Sequence, residues 1–424
     1  MKIEKISARE VLDSRGNPTV ECEIRLKNGR AVSAIVPSGA STGTHEAIEL
    51  RDGGKRYLGK GVLGAVSNIN TKIAKKISGM DFAKQESIDK ALLELDGTQN
   101  KGRLGANAML AVSLAAARAG AQGAGMELYE YVARLVGNKP MQLPVPFCNI
   151  INGGMHAGNG LAIQEFMVAP IGAKSFSEGV RMVVEIYGAL RADLKEKFGK
   201  AAVNVGDEGG FAPPLKETSQ ALEMVRSAID EVGYAREVRM AIDAAASEFY
   251  KDGGYSLDGK EFDAGELSDY YADLAEKYAL ASIEDPFAED DWKAFSGFNK
   301  KMGGKLQIVA DDLTATNMER LKKAVFMECA NCLLLKVNQI GTLSESLDAA
   351  RYSFKNNWNV MVSHRSGETE DAFIADLGVA LACRQIKLGA PARGERTAKY
   401  NRLLRIEELL GGKARYGWIQ MNLG

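Results

Sequence analysis

The sequence predicts an α/β protein: a closed (β/α)8 barrel with an irregular first portion, preceded by a smaller α+β amino-terminal domain. Three observations carry that prediction. Beyond Pro140, short apolar runs alternate with amphipathic helical segments, and from Leu306 onward they recur about every 25 residues, the length of a strand, a helix and two loops. The runs are apolar throughout, as parallel strands buried on both faces must be. Most of them end in charged residues, and barrels of this kind keep their chemistry at the carboxyl ends of their strands. About eight such units in roughly 280 residues suit a closed barrel better than an open doubly wound sheet.

A chain of 424 residues has room for about two or three domains. In the first, Thr19–Arg25 and Ala31–Val36 alternate apolar and polar residues about Lys27-Asn28-Gly29, which predicts a hairpin. The loop Pro37–Glu46 is too rich in glycine and hydroxyls for strand or helix. Helical periodicity follows over Val62–Ile77, Phe82–Leu95 and Ala106–Ala119, the last of these apolar on most faces. The change of pattern near Gly137 divides the chain into an α+β domain, 1–137, and a barrel, 138–424. The predicted barrel runs are Ala202–Val205, Val238–Ile242, Leu280–Ile283, Leu306–Val309, Cys332–Leu335, Val360–Val362 and a weaker Arg384–Ile386. Pro144–Pro170 follows no regular period.

Composition excludes several function classes. A net charge of -1, with 26% charged and 46% hydrophobic residues, gives no field to attract nucleic acid or an anionic membrane. Met1–Lys5 does not begin a signal peptide, and the apolar stretch Leu104–Ala117 is too short to span a bilayer, so a cytoplasmic protein is expected. The five cysteines are scattered, as reduced thiols are, and Cys329-Ala-Asn-Cys332 lacks the second pair or histidine of a zinc site. Gly59–Gly64 spells GxGxxG, yet no apolar strand precedes it, which argues against dinucleotide binding.

The residues that follow the runs are Asp207 and Glu208, then Asp243, Glu284, Asp311, Lys336, His364 with Arg365, and Lys387. In a barrel, Asp243, Glu284 and Asp311 come from successive strand ends and converge. Three like charges call for a cation, and ligands that are all oxygen favour Mg2+. Taken singly, Asp311 also reads as a helix cap and Glu284 as part of a turn. Lys336 interrupts the apolar run Leu333–Val337, where desolvation lowers an ammonium pKa; alone it also reads as a lysine snorkelling to water. Lys387 follows a neighbouring unit, across the barrel from the acids. Such a set suits removal of a proton alpha to a carboxylate, with Glu208 as the complementary acid. The three histidines, His45, His156 and His364, all lie in loops dense in Gly, Ser or Asn, and Arg365-Ser366 reads as an anion site.

These motifs resemble the enolases. The resemblance runs from Ala8–Thr19 through Pro37–Gly43, Asn152–Asn159, Gly206–Pro213, Ser282–Phe287, Leu334–Gly341 and Ser363–Asp371 to the last helix. It implies an enolase-type barrel whose first units are irregular, with a helix and strand reversed, and reversible dehydration of 2-phosphoglycerate to phosphoenolpyruvate through a metal-stabilised enolate. Asp243, Glu284 and Asp311 then correspond to ligands of a first Mg2+, and Ser41 to the lid residue that meets a second, bound with substrate. Lys336 corresponds to the base at C2, Glu208 to the acid at the C3 hydroxyl with Glu165 beside it, and Lys387 to the residue holding the substrate carboxylate. Arg365 and Ser366 correspond to phosphate ligands, and His156 and His364 to active-site histidines. A homodimer or homo-octamer is implied, with no nucleic acid partner and no membrane span. Met155, Ala372 and Leu388 depart from residues common in the family. Two other readings stay open: a barrel enzyme acting on a non-phosphorylated acid, against which Arg365-Ser366 and the Ser41 lid speak, and a silent scaffold, which would not need the full set of acids and lysines.

Overall fold

The computed structural model describes residues 3–40, 43–139 and 141–418. Ile3–Leu12, Pro18–Leu26 and Ala31–Ile35 form an antiparallel sheet in chain order. The two later strands are the predicted hairpin. The first strand buries only Ile6 fully, so no apolar alternation marks it in the sequence.

Helix Ala106–Ala124 packs on this sheet and Gln85–Asp96 and Leu128–Val136 pack on that helix, while the helical stretch predicted over Val62–Ile77 passes through a π turn at Ile69–Ile73. Ala106–Ala124 is almost wholly buried, and its small residues allow close approach. A Cβ at Gly120 would lie 2.3 Å from the Tyr131 hydroxyl, so a side chain there would push Leu128–Val136 away.

Eight strands close the barrel: Val145–Asn152, Glu165–Ala169, Arg239–Asp243, Ser282–Glu284, Gln307–Ala310, Cys332–Leu335, Asn359–Ser363 and Gln385–Lys387. Glu165–Ala169 runs against both of its neighbours, and every other pairing is parallel. This corrects the predicted strand at Ala202–Val205, where Lys200–Val203 is a 3-10 turn outside the barrel. The first two strands both lie in the stretch that showed no period. An antiparallel pair needs only a short connection, so the helix that sets the βα period is missing there.

The barrel interior is filled by Val145, Phe147, Met167, Ala169, Ala241, Val309, Cys332, Leu334 and Met361, with Trp418 packed against them. All five cysteines are free and buried; burial pushes the Cys329 thiol up to about 11 and Cys332 well above its ordinary value, so neither is a ready thiolate. Among the described residues no helix is long and apolar enough to cross a membrane.

The amino-terminal segment is fastened to the loop after Asn359–Ser363. Ser38 bridges Gly367, and Arg118 donates to the two oxygens of Asp371 at 2.7 and 2.6 Å. Asp371 also accepts the Ile35 amide at 3.0 Å. Burial pushes the Asp371 carboxyl up, but Arg118 and these amides outweigh it and hold it below its ordinary value.

Arg118→Met leaves that carboxylate buried and unpaired. Because the Arg118 side chain keeps 23% exposure, the loss should fall at the low end for a broken buried pair, about 3 kcal/mol in urea unfolding at neutral pH. A depressed folded pKa gives stability that is full above the unfolded value near 3.9 and is lost as pH falls through the folded value. The gap between variant and wild type should therefore narrow as pH falls below about 4. A gap that stays constant would show that Arg118 does not act through the Asp371 charge.

Candidate active site

Strand ends deliver most of the predicted residues to one mouth. Asp243, Glu284 and Lys387 are the last residues of their strands, and Asp311, Lys336 and His364 come directly after theirs. Glu165 opens the reversed strand and pairs in register with Asp243, which brings its carboxylate to the same end. Glu208 rides on the loop Gly206–Phe211, tied to the first barrel strand by the Phe211 amide donating to Ile150 at 2.9 Å. A Cβ at Gly206 would sit 2.4 Å from the His156 carbonyl oxygen, so this close approach requires glycine.

The buried Lys387 Nζ lies 3.0 Å from Glu165 Oε1, 3.0 Å from Asp243 Oδ2 and 2.9 Å from Glu284 Oε1. Burial alone would lower its pKa; the three carboxylates more than reverse that and hold it an ammonium. Lys336 Nζ forms a short ion pair with Asp311 Oδ2, and the other Asp311 oxygen accepts Gln339 Nε2 at 2.8 Å. The expectation of a lowered Lys336 pKa is thus corrected: burial is the largest single influence and lowers it, but the surrounding carboxylates, Asp311 first and then Glu284, together outweigh it and hold it raised. The two lysines leave strands separated by Asn359–Ser363, not neighbouring units, and they touch the acids instead of facing them.

Among the described residues, three groups bring their ligand atoms within 4.8 Å of one another: Asp285, Asp311 and Asp312; His156, Glu165 and Glu208; and His45, Glu289 and Asp290. Asp243, Glu284 and Asp311 are not gathered so closely, since Lys387 holds the first two and Lys336 the third. Their donors are nonetheless all oxygen, and Glu284 Oε2 is a buried carboxylate oxygen without a hydrogen-bond partner. That set fits a hard divalent cation.

Glu208 Oε2 accepts Asn149 Nδ2 at 3.0 Å, with His156 Nδ1 at 3.6 Å from Oε1 and His364 Nε2 at 3.5 Å from Oε2. Burial lowers both imidazoles, His364 to about 4, so both are neutral near pH 7. Glu165 is pushed well above the carboxylate range by burial and by the charge of Glu208. Two carboxyls in adjoining but different settings can thus hold different protonation states, which acid–base chemistry requires.

Arg365 is fully buried and donates to Glu46 at 2.9 and 3.0 Å and to Asn338 Oδ1 at 3.1 Å; Ser366 Oγ accepts the Ala40 amide at 2.6 Å. The predicted anion pair is therefore met by the amino-terminal loop. Ser41 lies outside the described residues. His45 stands apart, exposed, 3.4 Å from Asp290. Sequence reasoning did not find Glu46, Gln339, Asn149 or Arg396. Asn149 interrupts an apolar run as Lys336 does and could have been found that way; the others sit in ordinary polar surroundings with no periodic signal.

A (β/α)8 barrel with carboxylates, two lysines and two neutral histidines around one polar cavity is an enzyme built for proton transfer on a carboxylate-bearing substrate. Residues 140–422 match the enolase C-terminal TIM barrel domain and residues 3–132 the enolase N-terminal domain. Over 421 residues the chain is 58% identical to an enolase of Thermococcus gammatolerans, covering 98% of this chain and 96% of that one. It is likewise 58% identical to an enolase of Methanocaldococcus jannaschii over 410 residues (97% and 96%) and 57% identical to one of Pyrococcus furiosus over 419 (98% and 96%). The chain belongs to the enolase family, and its reaction is the phosphopyruvate hydratase step of glycolysis, which interconverts 2-phosphoglycerate and phosphoenolpyruvate.

Lys387→Met removes the one ammonium shared by three buried carboxylates. In EDTA the variant should lose more than about 3 kcal/mol of stability, and its thermal midpoint should recover in part as Mg2+ is added, because a divalent cation can stand in for the lost charge. Stability equal to wild type in EDTA would mean that the carboxylates do not depend on Lys387.

Proposed function

We propose that Lys336 Nζ takes the C2 proton of 2-phosphoglycerate and that Glu208 assists departure of the C3 hydroxyl, with Glu165 beside it. The observation that carries this division is that Lys336 and Glu208 line one polar cavity while sitting in separate charge environments, one paired with Asp311 and the other flanked by two neutral imidazoles. Lys336 must lose a proton before it can take one. Its ion pair with Asp311 ties that step to the carboxylate that would also hold a metal ion.

Asp243, Glu284 and Asp311 would hold the first Mg2+, and Ser41 on the lid would meet a second that binds with substrate, making two per active site. When bound, Mg2+ supplies the positive charge that offsets the charge developing on the substrate carboxylate. Lys387 orients that carboxylate, and Arg365 and Ser366 take the phosphate, for which a fork of guanidinium donors is well suited. His156 and His364 border the departing hydroxyl. The amino-terminal domain, 1–137, serves as lid and cap to the barrel, 138–424. A cytoplasmic homodimer or homo-octamer is the assembly this reading favours, by analogy with the family.

Lys336→Ala should abolish exchange of the C2 proton with solvent, a loss of about a hundredfold or more, while Mg2+ binding survives. Glu208→Gln should keep exchange and lose elimination. Normal exchange in Lys336→Ala would remove the assigned base, and equal loss of both steps in Glu208→Gln would show that the roles are not divided.

A further inference from the structure

Arg396 has no part in the reaction as described, yet it is wholly buried beneath the site. It lies in the first turns of the helix Gly394–Leu410. Its Nη2 donates to the carbonyl oxygens of Asp207 at 3.0 Å and Ser366 at 2.6 Å, and its Nη1 to that of Arg365 at 2.6 Å. One guanidinium therefore ties the loop bearing Glu208 to the loop bearing His364.

The same Nη1 lies 2.5 Å from His364 Nδ1. A guanidinium has only donors, and it stays charged at every accessible pH. The hydrogen in this contact therefore belongs to arginine, and Nδ1 is the bare nitrogen. A neutral imidazole carries one ring proton, which leaves it on Nε2.

We infer that Arg396 is a positioning residue for the reaction: it fixes His364 as the Nε2–H tautomer and so makes the imidazole a hydrogen-bond donor directed at Glu208. His364 Nε2 is buried, has no hydrogen-bond partner and is 3.5 Å from Glu208 Oε2. It borders the cavity that Glu208 and Lys336 also line. The ring is buried and lies close to the Gly389 backbone, where a side chain would not fit: a Cβ there would come within 3.0 Å of His364 Cε1 and 3.1 Å of Arg396 Cδ. In this state His364 does not take a proton from substrate; it donates to Glu208 or to a ligand oxygen brought beside it. The functional half of this inference rests on the role given to Glu208 above. The tautomer half rests on geometry alone.

Nitrogen NMR of the Mg2+-loaded full chain labelled with 15N-histidine tests it, because there are only three histidines and His364→Gln identifies the signal. The expected result near neutral pH is a bare Nδ1 and a protonated Nε2 on His364. A protonated Nδ1 would overturn the inference without any need for an Arg396 variant. In Arg396→Met the tautomer should shift towards Nδ1–H, with kcat falling about 10–100-fold and KM changing far less. An unchanged tautomer in a folded variant would also overturn it. An Nε2–H tautomer that shifts in the variant while kcat holds would keep the geometric half and overturn the positioning role of Arg396, whereas failure of the Glu208 assignment shows in Glu208→Gln.

Discussion

The ammonium of Lys387, buried against Glu165, Asp243 and Glu284, is the contact on which the arrangement at the barrel mouth depends. Removing carboxylates from water is unfavourable unless each finds a cation or several donors. Here the fold forces them together, because consecutive parallel strands end at the same face and the reversed strand Glu165–Ala169 begins there. Two lysines then offset the charge, one shared among three acids and one on Asp311. Orphaned oxygens on Glu165 and Glu284 show that the balance is incomplete. A site in this condition favours a divalent cation and a carboxylate-bearing substrate, since each satisfies what the protein leaves unsatisfied.

The amino-terminal segment completes the site as well as covering it. Glu46 supplies the counter-charge to Arg365, Ala40 holds Ser366, and Arg118 pins Asp371 in the same loop. The residues assigned to the phosphate are thus oriented by a different part of the chain from the residues assigned to proton transfer. Arg396 makes the complementary link inside the barrel, between the Glu208 loop and the His364 loop. Positioning of this kind lets the reacting groups keep fixed geometry while Glu165 and Glu284 each keep an oxygen without a hydrogen-bond partner.

Much of this was legible in the sequence. Fully apolar strands at regular spacing mark a parallel barrel, and Asp243, Glu284, Asp311, Lys336 and Lys387 were found because each breaks or ends such a run. The reversed strand was implied by the family resemblance but not legible in the periodicity, because the antiparallel turn removes the helix from the repeat, and Ala202–Val205 was mistaken for a strand in its place. The Lys336 pKa was misjudged for a related reason: an apolar run shows what surrounds a residue along the chain, while Asp311, the group that sets its charge state, arrives from another strand. Glu46 and Arg396 were missed because their importance lies wholly in partners distant in sequence, Arg365 and His364.

Calorimetric titration of Mg2+ into the metal-free chain, wild type beside Glu284→Gln, tests most directly whether the strand-end acids form one exchangeable charge centre. The account predicts that wild type binds about one Mg2+ per chain without substrate and that removing the Glu284 charge weakens this about tenfold or more. Equal affinity in the two proteins would contradict it.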